Sequence, residues 1–155
     1  MFRAATESDL LPLAELERDA NLEALGHVFP PERFPFPFDA VLSRWRLVLE
    51  DPSATVLVTE RPGGLSAYAA YDDRTLRHLA VHPDHWGEGL ARTAITQALE
   101  AIAAGGAERA TLWVLAENHR ARGLYEHLGW SATGEQQAAP WPPHPTELEY
   151  AVDLR

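Results

Sequence analysis

Between residues 75 and 116 the sequence changes period twice. TLRHLAV (75–81) is an apolar run of strand length, and a polar turn containing WGEG follows it. LARTAITQALEAIAA then carries Leu90, Ala94, Ile95, Ala98, Leu99 and Ile102 at helical spacing, Gly105-Gly106 ends that stripe, and ATLWVLA (110–116) returns to strand character. Two strands joined through a helix do not pair as a hairpin. They belong in one sheet as a parallel pair with a right-handed crossover. This unit commits the chain to a sheet with at least one parallel pair and a helix against its face.

The flanking segments fill in the rest. FRAAT reads as a short extended piece. SDLLPLAELERDA reads as a helix, with Ser8 or Asp9 as cap, Pro12 in the first turn and Leu10, Leu13, Leu16 and Ala20 in one stripe. Residues 27–38 hold four prolines and four phenylalanines, too dense for a helix interior or a central strand, so they predict an ordered aromatic loop. Asp39 is placed to cap a second helix bearing Val41, Leu42, Trp45 and Leu49, ending at Asp51-Pro52. ATVLVTE and LSAYAAYD flank RPGG as a hairpin. HRARGLYEHLG predicts a short helix capped by Gly129, and WSATGEQ and TELEYAVDL a final strand pair across AAPWPPHP. The order is βααβββαβαββ, an α/β chain with a mixed sheet and helices on both faces. With neither repeat nor linker, residues 1–155 are expected to form a single domain.

Composition narrows the function classes. There is no cysteine, which excludes a thiolate nucleophile, disulfides and cysteine-ligated metal sites. All 13 basic residues are arginine, so no lysine can form a Schiff base. The formal net charge of −10 disfavours nucleic acid and anionic membranes and leaves room for a cationic small molecule. No apolar run is long enough to span a bilayer, and the start, MFRAATESDLL, lacks the pattern of a signal peptide, so a cytoplasmic location is expected.

The glycines of WGEGLAR sit where a helix begins, a locally destabilising place for them. The first N–H groups of a helix have no intrahelical partner, and its dipole adds partial positive charge there. Bare glycines let a phosphate approach those groups closely. A Walker A loop is excluded without lysine, and the third glycine of a dinucleotide fingerprint is missing. On these residues alone an anion cradle and a plain glycine turn are equally good readings.

Two longer strings add to this. LAVHPDHWGEGLARTAITQAL resembles the acyl-CoA-binding motif of the GNAT superfamily of N-acetyltransferases, with Val81, Pro83, Gly87, Gly89 and Ala91 in place. Trp86 stands where that family usually has arginine or glutamine. LWVLAENHRARGLYEHLGW resembles the family's second signature through Asn118, Ala121, Leu124, Tyr125, Gly129 and Trp130. FRAATESDLLPLAELE looks like its first strand and helix, so the resemblance covers nearly the whole chain. It implies a mostly antiparallel sheet of six to seven strands in which one parallel pair splays apart around acyl-CoA.

The resemblance also implies roles. Backbone groups around Leu79, Ala80 and Val81 would hold the pantetheine arm. The loop Trp86, Gly87, Glu88, Gly89, Leu90, Ala91 and Arg92 would hold the pyrophosphate, and Asn118, Ala121 and Arg122 would meet the cofactor past the splay. Tyr125 would protonate the departing CoA thiolate, a reasonable task for a phenol of pKa about 10 facing a thiol of about 8.5. The reaction implied is acetyl transfer from acetyl-CoA to a primary amine by direct attack in a ternary complex. A weakly active CoA-binding sensor or a peptide N-acetyltransferase are the rivals. Strand alternation would place Thr75, Arg77, Leu79 and Val81 on one face and Leu76, His78 and Ala80 on the other, so His78 would point away from the cofactor. Asp72 and Asp73 could reach acceptor space, and no residue is assigned as the base. His78, His82 and His85 lack metal-ligand spacing, and no metal is expected. Phe29, Phe34, Phe36, Phe38 and Trp141 could line an acceptor pocket, and Glu23, Glu32, Asp72 and Asp73 could favour a cationic acceptor. The chain could act as a monomer or a homodimer.

Overall fold

The computed structural model describes residues 1–154. Its elements follow the expected order: β1 (Arg3–Ala4), α1 (Leu10–Ala24), α2 (Phe38–Glu50), β2 (Thr55–Arg61), β3 (Gly64–Tyr71), β4 (Leu76–Val81), α3 (Leu90–Ala104), β5 (Arg109–Leu115), α4 (His119–His127), β6 (Ser131–Ala138) and β7 (Thr146–Asp153). The strands form two antiparallel sheets, β1-β2-β3-β4 and β5-β7-β6. A parallel bridge between Thr75 and Thr111 joins them, made by the Thr111 N–H donating to the Arg74 carbonyl at 3.0 Å. Beyond that point β4 and β5 belong to different sheets. The crossover read from residues 75–116 is therefore present, with its parallel pairing confined to one end.

Helices cover both faces, each over its own core. α1 and α2 bury Leu13, Leu16, Val41 and Trp45 against Val58 and Tyr68. α3 and α4 bury Ile95, Ile102 and Tyr125 against Leu76, Leu112 and Tyr150. Among the described residues no helix is long and apolar enough to cross a membrane.

Three local expectations are corrected. Asp9 stands at the N-cap position of α1, but its side chain makes no cap bond to that helix, and Ser8 lies outside the position. Asp9 instead accepts the Thr6 N–H at 2.8 Å and both Arg3 terminal nitrogens at 2.9 and 3.0 Å, within a 3-10 turn that runs straight into the helix. α2 starts one residue before Asp39, with Pro37 at the cap position. The alternation along β4 also fails at Arg77. Ala70 pairs with His78 and Tyr71 with Leu76, so Arg77 bulges out of the ladder. Leu76 and Leu79 consequently both join the core under α3, while His78 turns to the other layer against Trp45, ring centroids 5.2 Å apart.

Candidate active site

Where β4 and β5 part, a cavity of about 400 Å³ opens. Leu79, Ala80 and Val81 form one wall, and the loop from Trp86 with the first turn of α3 forms the end. Asn118, Arg120, Ala121 and Tyr125 of the α4 region stand opposite. The last turns of α1, with Ala20, Asn21, Ala24 and Leu25, cover it.

The end wall is a bare row of donors. Gly87 and Gly89 have φ of +85° and +80°, the left-handed region that costs a side chain most. A Cβ at either would meet nothing within 4 Å, so the backbone there faces open space. Gly89 caps α3 without any side-chain hydrogen bond, and its carbonyl accepts only from the Thr93 N–H and hydroxyl, at 3.0 and 3.1 Å. The first N–H groups of the helix have no intrahelical partner, and Gly89, Leu90, Ala91 and Arg92, which carry them, line the cavity end. Trp86 lies beside them. Its indole donates to the Val81 carbonyl at 2.9 Å, and the Arg120 guanidinium sits 3.8 Å from its ring centroid.

Most of the expected donor-site residues meet here, and two do not. Glu88 directs its carboxylate to His85 at 3.1 Å, leaving only its backbone in the loop. Arg122 turns away from the cavity, donating to the Tyr150 hydroxyl at 2.9 Å and the Ala116 carbonyl at 2.8 Å. Asn118 lines the cavity while its side-chain oxygen caps α4 through the Ala121 N–H at 3.2 Å. Arg120 was not anticipated, because only the fold brings α4 against the Trp86 loop.

Tyr125 lines the same cavity. Its ring is buried between Trp130 and Tyr150, at 5.8 and 6.5 Å between centroids. Burial pushes its pKa above the ordinary phenol value, so the hydroxyl stays protonated.

A second cavity of about 300 Å³ lies on the other side of α1. Phe29, Phe34, Phe36 and Trp141 line it, with prolines from the same loops, and Glu17, Asn21 and Val41 form its inner side. Asn21 borders both cavities. Phe38 does not reach this one. It packs toward the α1–α2 core with the Arg18 guanidinium 5.6 Å from its ring centroid. Glu23, Glu32, Asp72 and Asp73 line neither cavity, and Asp72 is held by Arg77 at 2.7 Å. The carboxylate that does line it, Glu17, accepts from both Arg44 terminal nitrogens, from the Trp45 indole at 2.9 Å and from the Tyr68 hydroxyl at 3.4 Å. Among the described residues no group of three or more histidines or carboxylates is arranged to hold a metal.

This geometry has relatives. The sequence matches the Acetyltransferase (GNAT) family over residues 13–130. The chain belongs to the GNAT acetyltransferase family. A GNAT relative from Bacillus subtilis, described as a [ribosomal protein bS18]-alanine N-acetyltransferase, is 32% identical over 122 residues, covering 76% of this chain and 81% of that protein. Two solved GNAT structures share the fold. A GCN5-related N-acetyltransferase from Rhodopseudomonas palustris gives a TM-score of 0.80 at 16% identity over 99% of this chain and 94% of its own. The Vibrio cholerae spermidine N-acetyltransferase, solved with CoA and spermine, gives 0.70 at 19% identity over 99% and 95%.

The family implies an acyl-CoA, and the residues of this GNAT cavity fit one. The unpaired N–H row behind Gly87 and Gly89 suits a pyrophosphate. The edge of β4 around Leu79, which pairs with β3 alone, suits a chain of amides, while the Val81 carbonyl on the same edge is taken by the Trp86 indole. Trp86 brings an indole to the cradle, and Arg120, stacked on that ring and lining the same cavity, places a cation beside it.

Proposed function

We propose that this GNAT protein transfers an acetyl group from acetyl-CoA to the primary amine of a small molecule, by direct attack in a ternary complex. The observation that carries this reading is the meeting of two cavities at Asn21, one with a phosphate cradle and a buried tyrosine, the other enclosed by aromatic loops. The cavities give donor and acceptor separate berths with a shared border, as a single-step transfer requires.

When bound, acetyl-CoA supplies an electrophilic acyl carbon and a thiolate leaving group. The N–H groups from Gly87 to Arg92 hold its pyrophosphate, and the backbone of Leu79 to Val81 orients its pantetheine arm. Tyr125 would donate its phenolic proton to the sulfur as the carbon–sulfur bond breaks, and the nitrogen, which sheds a proton as the carbon–nitrogen bond forms, would return one to the tyrosinate. The ammonium proton lost before attack needs another destination. Glu17 is already engaged by Arg44, Trp45 and Tyr68, while His85 in the donor cavity lining meets Glu88 through Nδ1 at 3.1 Å, a contact that does not remove the imidazole as a proton acceptor. The amine attacks as the free base, and kcat/KM should climb with pH toward the pKa of the amine itself.

The Bacillus relative favours a second reading, acetylation of a peptide N-terminus. Calorimetric titration with acetyl-CoA, with NADH as control, tests the donor site. Thiol release with small amines and with an alanine-initiated peptide tests the acceptor. Binding of acetyl-CoA with thiol release on small amines supports the proposal. Turnover of the peptide alone would replace the small-molecule reading.

A further inference from the structure

The second cavity restricts what the acceptor can be. This step rests on the proposed acetyl transfer, since that is what makes the cavity beside Asn21 the acceptor berth. Its wall is built from rings and prolines. The segment 28–37 is cross-linked by short backbone bonds: the Phe29 N–H donates to the Leu25 carbonyl at 2.8 Å and the Phe34 N–H to the Pro30 carbonyl at 2.8 Å. Pro31, Pro35 and Pro37 each fix one backbone angle and remove one donor. The rings are thus held in place before any ligand arrives, which lowers the ordering cost of binding.

Charge points the same way. In a chain of net charge −10, this cavity holds one carboxylate, and it is neutralised by a two-nitrogen contact from Arg44. The remaining charged residue of its lining is Arg33, a cation, lying 5.6 Å from the Phe34 ring centroid. A di- or polycation would find no free carboxylate for its second charge and would meet Arg33 instead. At about 300 Å³ the cavity is also at the small end of small-molecule sites, which run roughly 300–1,000 Å³.

We infer that the acceptor is an arylalkyl monoamine: one aromatic body seated among Phe29, Phe34, Phe36 and Trp141, one primary amine directed past Asn21 toward the donor cavity, and no second positive charge. Ring-on-ring contact favours the aromatic body over an aliphatic one. The amine needs no salt bridge, because it reacts as the free base.

The test uses the full-length protein and three probes: phenethylamine, spermidine and an alanine-initiated hexapeptide. Each is titrated calorimetrically in the presence of saturating CoA, and each is assayed for thiol release with acetyl-CoA. Phenethylamine is expected to bind and to be acetylated with kcat/KM roughly tenfold or more above the other two. Phe34→Ala should raise its KM roughly tenfold and leave acetyl-CoA affinity unchanged. Should that variant fold poorly, Leu22→Glu, at a 49% exposed position on the cavity rim, should shift preference toward spermidine. Tighter binding of spermidine or the peptide, or no phenethylamine binding, overturns the inference. Phenethylamine binding without thiol release supports the acceptor class and overturns the transferase reading, so the two fail separately.

Discussion

The Arg120 guanidinium lies 3.8 Å from the ring centroid of Trp86, and the Trp86 indole in turn donates to the Val81 carbonyl at 2.9 Å. Two residues from opposite sides of the cavity are thus stacked at the end formed by the Trp86 loop and the start of α3. The motif position that ordinarily brings a polar or cationic side chain here carries an indole, and the cation comes from α4. Arg120→Ala should weaken acetyl-CoA binding roughly three- to tenfold at low salt, with a difference that shrinks as salt screens the phosphates. Calorimetry at two ionic strengths measures this. A Kd unaffected by the substitution would mean that Arg120 only packs on Trp86.

Tyr125→Phe keeps the buried ring and removes the proton donor. A kcat roughly a hundredfold lower with unchanged acetyl-CoA affinity is expected. Because burial raises the phenol's pKa, the wild-type protein should show no loss of rate from tyrosine ionisation up to pH 10. A folded-state pKa above the unfolded value of about 10 makes a contribution that is complete below pH 10 and fades as pH rises beyond it.

Gly89→Val places a β-branched residue at φ +80° over the donor row. Strain of about 1–2 kcal/mol and loss of acetyl-CoA binding should both appear. Gly63→Val supplies the control. It has φ +86° and the same open surroundings in the β2–β3 turn, so it should lower the melting temperature without altering Kd. Equal affinity in both variants would place the pyrophosphate elsewhere.

His78 predicts an acid-sensitive window. Burial against Trp45, with help from the Arg44 and Arg77 charges, pushes its pKa down to about 3. The unfolded chain binds that proton near pH 6.5, so stability present at neutral pH is lost as pH falls from about 6.5 toward 3. Asp9, held low by Arg3, and Asp51, held at about 2 by Ser53 and Arg77, act only below the ordinary carboxylate range. Urea midpoints at pH 7 and pH 5 should therefore differ in the wild type, and differ less in His78→Gln.

Much of the fold is legible in the chain because its signals are local. The stripe from Leu90 to Ile102, the glycines that end it and the proline density of residues 27–38 depend only on near neighbours. What escaped needed partners far along the sequence. The bulge at Arg77 is invisible in TLRHLAV, since it exists only against Ala70 and Tyr71 and is held by Asp51 and Asp72. The same holds for the site. Gly87, Gly89, Asn118 and Tyr125 sit in recognisable strings and do meet in one cavity. Arg122, in the same string, turns inward to Tyr150, and Arg120, two residues earlier, takes a place at the cavity. Glu17 looks like any polar residue in LAELER until Arg44, Trp45 and Tyr68 close around it.

The parting of β4 and β5 after Thr75 and Thr111 has a consequence for how such a chain can diversify. One cavity is contoured largely by main-chain groups, which substitutions of the neighbouring side chains leave in place. The other is contoured by the side chains of two loops that carry no strand pairing of their own. Under the proposed transfer, substitutions among a few rings in residues 28–37 and at Trp141 would change which acceptor fits without disturbing the loop around Gly87 and Gly89.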